Sequence, residues 1–390
     1  MTADPVSPLP RSVHREAPPA VTAMVRLIRG SWVKAESYLP EVTQFFYGML
    51  FTLAPATRDF FPINMDVQRN RMVRALVQVV QMVDQPDDLL PYLRHLGRDH
   101  RKFGVEPKHY EAIGTALLAA MRTQLGRDWT PDVERAWAEA FTIIARQMQE
   151  AAAADDNPPN WSAAVAEHRR VSWDLAMVRL EPERPIPFRA GQYLSVEVPQ
   201  RPRLWRYLSP ANAPREDGSL EFHVRAVDGG WVSRAIVSHT QAGDVWRFGP
   251  PLGRLTVDRE NGRGVLMIAG GTGLAPLQSL LDELAQWGEN PKVHLFYGGR
   301  TREDLYALDG LRMMASCNPW LTVHPVVERG NGLSGFEQGT LADVVTRHGA
   351  WPGHDVLVSG SPAMIRATVS RMLVAGTALD QVKYDPFTID

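Results

Sequence analysis

Hydrophobic positions recur at three- and four-residue steps from Val21 to Ala153, as in Val73, Leu76, Val77 and Val80 and again in Ile113, Leu117, Leu118 and Met121. That step is the period of an amphipathic helix, and no strand-like alternation of any length interrupts it, so the stretch predicts an all-α domain. Residues 1 to 20 are rich in Pro, Ala and Ser without periodic apolar positions, and they read as a disordered tail. The run AAAADDNPP at 151–159 closes the helical region, because proline cannot continue a helix and Asp and Asn favour turns.

A different pattern follows. Short alternating segments, Tyr193 to Val198 and Leu220 to Arg225 among them, are separated by Gly, Pro and Asp at spacings typical of a small antiparallel barrel. From Gly264 onward, Val265 to Ala269, Val293 to Tyr297 and Val356 to Ser359 read as buried strands. Helical stretches at Leu277 to Trp287 and Ala363 to Ala375 lie between or after them. Strand and helix in alternation imply a parallel sheet with crossover helices. The expected architecture is therefore multidomain: an all-α domain over 21–155, an antiparallel β-barrel over 156–260 and an α/β parallel-sheet domain over 261–390.

Composition narrows the function class without choosing one. The formal charge of -2 argues against a surface built to neutralise a nucleic-acid backbone. Cys317 is the single cysteine, so neither an internal disulfide nor a thiolate metal cluster can form. It is expected to be a packed strand or loop residue rather than a nucleophile. Met1 to Arg15 holds three prolines and no apolar core of a signal peptide, which points to a cytoplasmic protein. The longest charge-free stretch, Gly264 to Leu281, carries Gly270, Gly271, Gly273 and Pro276, and no membrane segment is expected.

The first chemical signal is Val265 to Pro276, VLMIAGGTGLAP, a buried strand running into glycines and then a helix. Glycines there let a ligand approach the backbone, and the free N–H groups at a helix start favour a pyrophosphate. A tight turn without a ligand would look the same. Other elements accompany it in order: Arg206-Tyr-Leu-Ser209, then Gly229-Gly-Trp-Val-Ser233, then Ser359-Gly-Ser-Pro-Ala-Met364, and Tyr384-Asp-Pro-Phe387 near the end. Arg206 offers a charge and a fork of donors to a phosphate. In this order the elements resemble the ferredoxin reductase-like flavoprotein family, from roughly Trp173 onward. The resemblance implies that Arg206, Tyr207, Ser209, Gly230, Val232 and Ser233 bind FAD, with Gln192 and Tyr193 near the flavin. It also implies that Gly271, Thr272 and Gly273 receive NADH or NADPH and that Phe387 covers the flavin ring. Leu208 stands where that family has its flavin-facing tyrosine, and Ser359 where it often has a cysteine. Arg300 and Arg302 either meet a 2′-phosphate or face water, so the nucleotide preference stays open.

In the helical half, His100 lies at a helix end before the Gly104 and Pro107 turn, a candidate iron ligand, whereas His95 is turned to another face. With Tyr47 in Phe45-Phe-Tyr-Gly-Met-Leu-Phe51, Phe61 and Tyr110, the segment resembles the flavohaemoglobin family. The resemblance makes Tyr47 the distal tyrosine, Phe61 the residue packed on haem b, His100 the proximal ligand and Tyr110 its neighbour. The implied function is an NAD(P)H-dependent oxidoreductase passing electrons through FAD to haem, with O2 and NO as small-molecule partners. Two alternatives are another small electron donor or acceptor, and a haem-based gas sensor. Some positions depart from the family. The glutamate of the last globin helix falls near Ala152, with Glu150 about 200° away around the helix. Asp99 replaces a lysine beside the proximal histidine, and Met72 stands near the place of the distal glutamine.

Overall fold

The computed structural model describes residues 19–330 and 334–385, with side chains from residue 22. It divides into two compact units, 1–156 and 157–390. Phe387 lies outside the described residues, as does nearly all of the expected N-terminal tail.

The first unit is wholly helical: α1 (Pro19–Ala35), α2 (Leu39–Leu53), α3 (Asp66–Gln81), α4 (Pro86–His100), α5 (Pro107–Leu125) and α6 (Pro131–Ala153). Proline is the first residue of α4, α5 and α6 and the second of α2, where its missing N–H has no intrahelical partner to lose. Thr130 caps α6 by accepting the Val133 amide, and the Nδ1 of His109 accepts the Glu106 amide at the start of α5. The core gathers Ile28, Trp32, Phe46, Leu50, Leu117, Met121 and Trp137. Trp137 Nε1 donates to the buried Ser31 hydroxyl at 2.9 Å, joining α6 to α1. The helix α3 differs from the rest. Although it carries the apolar stripe Met72, Val73, Leu76 and Val77, only Val80 along it is fully buried. Its inward face is thus lined with apolar side chains that protein does not completely cover.

The second unit opens with β1 (Trp161–Arg170), β2 (Leu175–Pro182), β3 (Tyr193–Glu197), β4 (Arg206–Leu208), β5 (Leu220–Arg225), α7 (Trp231–His239) and β6 (Val245–Leu252). The strands pair antiparallel in the order β4-β3-β6-β1-β2-β5. A bridge between Pro210 and Phe222 brings the chain after β4 onto β5, so the sheet curls back on itself. Irregular register at Val165/Glu167 and Leu194/Val196 helps it coil. Phe222 and Phe248 stack at 5.7 Å inside, with Trp246, Val178 and Leu194 around them.

Next come β7 (Gly264–Gly270), α8 (Leu274–Leu284), β8 (Val293–Gly299), α9 (Leu308–Cys317), β9 (Leu321–Val327), β10 (Glu337–Gln338), α10 (Leu341–Arg347), β11 (His354–Ser359), α11 (Pro362–Val374) and β12 (Val382–Tyr384). All six strands run parallel in the order β10-β9-β8-β7-β11-β12. The helices α8 and α9 cover one face, while α10 and α11 cover the other. Cys317 ends α9 in an exposed position, which corrects the expectation of a packed residue: the last turn of that helix points to solvent.

Barrel and parallel sheet are tied by buried polar contacts. Ser279 of α8 donates to the Asn212 carbonyl at 2.7 Å. The Tyr306 hydroxyl lies 3.0 Å from His223 Nδ1, and His223 Nε2 lies 2.8 Å from Glu221. A carboxylate can only accept, so Nε2 carries the proton and the tyrosine donates to Nδ1. Arg225 bridges Asp174 and Asp304, each at 2.9 Å. Among the described residues, no helix is long and apolar enough to cross a membrane.

Candidate functional site

At the end of α4, His100 Nδ1 lies 2.7 Å from the carbonyl oxygen of Leu96, one turn back on the same helix. A carbonyl cannot donate, so Nδ1 holds the proton and Nε2 presents a bare lone pair. Burial holds this imidazole below its ordinary pKa, with the nearby Asp99 charge pulling the other way, so the ring is neutral at pH 7 and able to ligate. Phe103 packs edge-on at 5.8 Å and fixes the ring plane.

Asp99 was expected to bring an inverted charge to this neighbourhood. Instead it is buried against Lys102 at 2.6 Å, one turn on, and the two charges cancel locally. A lone buried carboxylate would be costly to desolvate, and the lysine supplies the partner. Arg101 likewise pairs with Asp155 at 3.1 Å, both largely buried.

Tyr47, on α2, is 5 % exposed and enclosed by Phe46, Phe51 and Phe61, whose ring centroids stand 4.9, 5.9 and 5.3 Å from its own. Burial pushes its hydroxyl up to about 12, opposed by a hydrogen bond with the Gln68 side chain and the charge of Arg69. Tyr47 is therefore a neutral donor throughout the working pH range. Gln68, one helical turn before Met72 on α3, brings a side-chain amide to the Tyr47 hydroxyl. With Phe61, Met72 and Leu76 in the same cluster, this half presents one neutral imidazole, one hydroxyl with an amide beside it, and partly uncovered apolar walls. That donor set suits a flat apolar group carrying a metal, and haem fits it.

Tyr110 is buried among Leu93, Ala145 and Met148, and lines a groove of about 530 Å³ between α5 and α6. Glu150 stands on the rim of that groove, exposed and hydrogen-bonded by Gln147 at 3.1 Å, with Arg146 at 3.8 Å. It engages its own helix rather than the proximal side of His100.

In the barrel, Arg206 and Tyr207 sit on the short strand β4, across from Val196 and Ser195. Side chains alternate along a strand, so Leu208 turns to the barrel core while Tyr207 faces outward, 5.0 Å from the Tyr193 ring. Tyr207 thus supplies an aromatic surface beside the position that lacks one. Gln192 uses its side-chain oxygen to accept the Arg189 amide at 2.9 Å, holding the turn into β3. Gly230 caps α7, and Ser233 lies in its first turn, its hydroxyl accepting the Val227 amide at 3.3 Å. Val232 is 1 % exposed in the barrel core, so its side chain packs and only its backbone is left for a ligand.

Sequence inspection missed Asp385. One oxygen of this buried carboxyl accepts the Arg254 amide at 2.9 Å, and the other has no partner among the described residues. Burial raises its pKa, with Arg254 opposing. A Cβ at the intervening Gly253 would meet both Asp385 and the Tyr193 ring, so the orphan oxygen and the aromatic pair share one locality. An unpaired buried acceptor beside an aromatic surface fits a polar, planar ligand such as a flavin.

The remaining predicted residues cluster at the carboxyl ends of the parallel strands. Sheet order runs outward from β7 through β8 and β9 on one side and through β11 on the other, so the chain reverses between β7 and β11, where such sheets hold their ligands. Gly271, Thr272 and Gly273 form a single 3-10 turn leading into α8. A Cβ on Gly273 would stand 2.5 Å from the Gly360 backbone, so this turn and the one after β11 touch main chain to main chain. Ser359 is buried beneath that contact. Arg300 is exposed, and Arg302 lies over the Phe336 ring at 5.9 Å.

Comparison with known proteins agrees with this division. Residues 44–148 match the globin family, 162–257 the oxidoreductase FAD-binding domain and 267–370 the oxidoreductase NAD-binding domain. The fold and site define a haem- and flavin-binding oxidoreductase. A flavohemoprotein of Bacillus subtilis is 23 % identical over 93 % of this chain and 96 % of its own length. The naphthalene 1,2-dioxygenase system ferredoxin–NAD(P)+ reductase component of Pseudomonas putida is 30 % identical over 55 % of this chain and 65 % of its own length. A flavohemoglobin from Malassezia yamatoensis, solved with FAD and heme bound, superposes with a TM-score of 0.76 at 18 % identity, covering 94 % of this chain and 99 % of its own. The chain carries a globin followed by FAD- and NAD-binding reductase domains, the domain order of the flavohemoproteins to which it is similar.

Proposed function

We propose that this protein passes electrons from NAD(P)H through FAD to a haem held by His100, and uses them to oxidise nitric oxide with dioxygen. The balanced reaction takes two NO and two O2 with one NAD(P)H to two nitrate ions, NAD(P)+ and a proton. When bound, FAD splits the two-electron hydride into single electrons and haem supplies the iron at which dioxygen reacts. The observation that carries the reading is the His100 to Leu96 hydrogen bond, which leaves Nε2 as the ligand atom, together with a neutral Tyr47 beside Gln68.

Each residue has a defined part. Leu96 keeps His100 in one tautomer and one orientation. Tyr47 would offer its hydroxyl hydrogen to a small molecule in the haem pocket, and Gln68 orients the hydroxyl. Phe61 packs against the macrocycle. Arg206 and Ser209, with the α7 start at Gly230 and Ser233, hold the flavin phosphates, and Tyr193 and Tyr207 bear on its ring. The Gly271–Gly273 turn admits the nucleotide pyrophosphate to main-chain N–H groups at a helix start.

NO consumption driven by NADH or NADPH in stopped flow, well above that of a haem-free sample and yielding nitrate, is the expected result. A rate no greater than the flavin-only background overturns the assignment.

A second reading has its own support. Ala152 provides no carboxylate near the proximal histidine, and Glu150 is committed to solvent and to Arg146 and Gln147. Without that acceptor the imidazole would push less electron density onto a bound iron. This favours a protein that exchanges electrons with another small donor or acceptor. Turnover with quinones or organic donors that exceeds NO turnover selects it.

A further inference from the structure

On the face of the parallel sheet covered by α10 and α11, four histidines, one glutamate and a tryptophan gather from distant parts of the chain. His294 is the second residue of β8, His324 lies in the middle of β9, Glu337 opens β10, His348 follows α10, Trp351 precedes β11 and His354 begins it. Strand register places His324 directly beside Phe296, whose ring stacks on the imidazole at 4.3 Å and 8°. Phe296 also meets His348 edge-on at 5.1 Å, so one aromatic ring positions both imidazoles. Trp351, held by its Nε1 donating to the Val345 carbonyl at 3.1 Å, stacks beyond His348.

The polar atoms converge on one point. His348 Nε2 stands 2.9 Å from both oxygens of Glu337, and His324 Nδ1 stands 3.5 Å from one of them. Ligand atoms of His324, Glu337 and His348 all lie within 4.8 Å of one another, the one such group of three found among the described residues. Imidazole nitrogens and a carboxylate oxygen on a tetrahedral zinc ion bond at about 2.0 to 2.2 Å, which sets donors roughly 3.3 Å apart. The distances of 2.9 and 3.5 Å bracket that value.

A supporting contact sits behind the set. His324 Nε2 lies 3.3 Å from His294 Nδ1. When the ring proton sits on His324 Nε2, directed at His294, the Nδ1 lone pair is freed toward Glu337, and a bound cation takes the place of the proton that Nδ1 otherwise donates to that carboxylate. Metal-bound histidines commonly donate their second nitrogen in this way. The three ligand side chains are 19, 31 and 35 % exposed, shielded yet open to an ion from solvent.

We propose that His324, Glu337 and His348 bind a divalent transition-metal ion, with zinc the best match to two imidazoles and one carboxylate, and that His294 orients His324. The site lies away from the glycine turns at the carboxyl ends of the strands. Its effect is structural: the ion clips β10, only two residues long, to β9 and to the end of α10.

Equilibrium dialysis of the full-length protein against Zn2+, with elemental analysis, tests the assignment. Wild type is expected to hold one more zinc ion per chain than Glu337→Gln or His348→Ala, and zinc should raise its thermal midpoint but not theirs. His294→Ala should retain the site with affinity weakened about 10- to 100-fold. Flavin content and the rate of flavin reduction by NADH serve as the folding control, since none of these residues belongs to the flavin or nucleotide site. Equal zinc stoichiometry and affinity in wild type, Glu337→Gln and His348→Ala overturns the proposal, as does a wild type that holds no zinc.

Discussion

Gly97 of α4 lies against the backbone of Met148 of α6, so near that a Cβ on residue 97 would stand 2.2 Å from the Met148 carbonyl oxygen. Main chain cannot move aside as a side-chain tip can. This contact fixes how close the helix bearing His100 comes to the last helix of the unit. Gly97→Ala is expected to destabilise the helical unit by about 1–3 kcal/mol, an overpacking cost. The measurement is the urea midpoint followed by helical circular dichroism. An unchanged midpoint would show that the helices are free to separate.

Tyr47 supplies a pH signature. Its folded pKa of about 12 lies above the ordinary tyrosine value of 10.0, so the protonated hydroxyl is the form that the fold favours. Such a group contributes stability that is fully present below pH 10 and is lost as pH rises through about 12. Tyr47→Phe removes this part of the alkaline loss, on the order of 2–3 kcal/mol between those limits. Denaturation curves of the two proteins should therefore converge as pH climbs, and parallel curves would refute the assignment of Tyr47 as a buried donor.

Asp282 of α8 behaves in the same direction at the acid end. Desolvation raises its carboxyl from 3.8 to about 6, Arg215 opposing and Glu221 adding to it. Stability tied to the protonated form is complete below about 4 and is lost as pH rises through about 6. Asp282→Asn, which keeps the shape and removes the charge, is expected to stabilise the reductase unit at pH 8 by about 1–3 kcal/mol and to leave it unchanged near pH 3. Thermal midpoints at the two pH values decide the matter. A gain of equal size at both would point to packing instead of charge.

Gly273 tests the nucleotide turn. A methyl group there collides with the Gly360 backbone at 2.5 Å and must displace one turn or the other. Gly273→Ala should slow flavin reduction by NADH about a hundredfold through misplacement of the nucleotide, while FAD content stays at wild-type level. Stopped-flow reduction monitored at the flavin band reports the first quantity, and absorbance after denaturation reports the second. Loss of FAD together with rate would mean that the turn supports the whole unit.

How far the sequence could be read depended on what kind of order each feature has. The stripes at Val73 to Val80 and Ile113 to Met121 announced helices because a period of 3.6 residues is visible in one chain segment. The glycine turn after β7 was likewise a local pattern. Gln68 escaped because it is a polar residue at the start of α3, one turn ahead of the apolar stripe, and its pairing with Tyr47 of α2 is a tertiary contact that the local pattern does not mark. The pairing of Asp99 with Lys102 hid in a spacing of three, which reads equally well as a solvated helix end. Asp385 and the histidine group lay beyond reach for another reason. Their neighbours arrive through crossover connections, and register between parallel strands is fixed by tertiary packing that local sequence does not display.

The backbone contact between Gly273 and Gly360 ties two positions 87 residues apart into a single inherited choice. A side chain gained at either is resisted by the other's main chain, so drift at one site is held in check by the other. Descendants of this gene can rebuild the nucleotide turn only by altering both loops together.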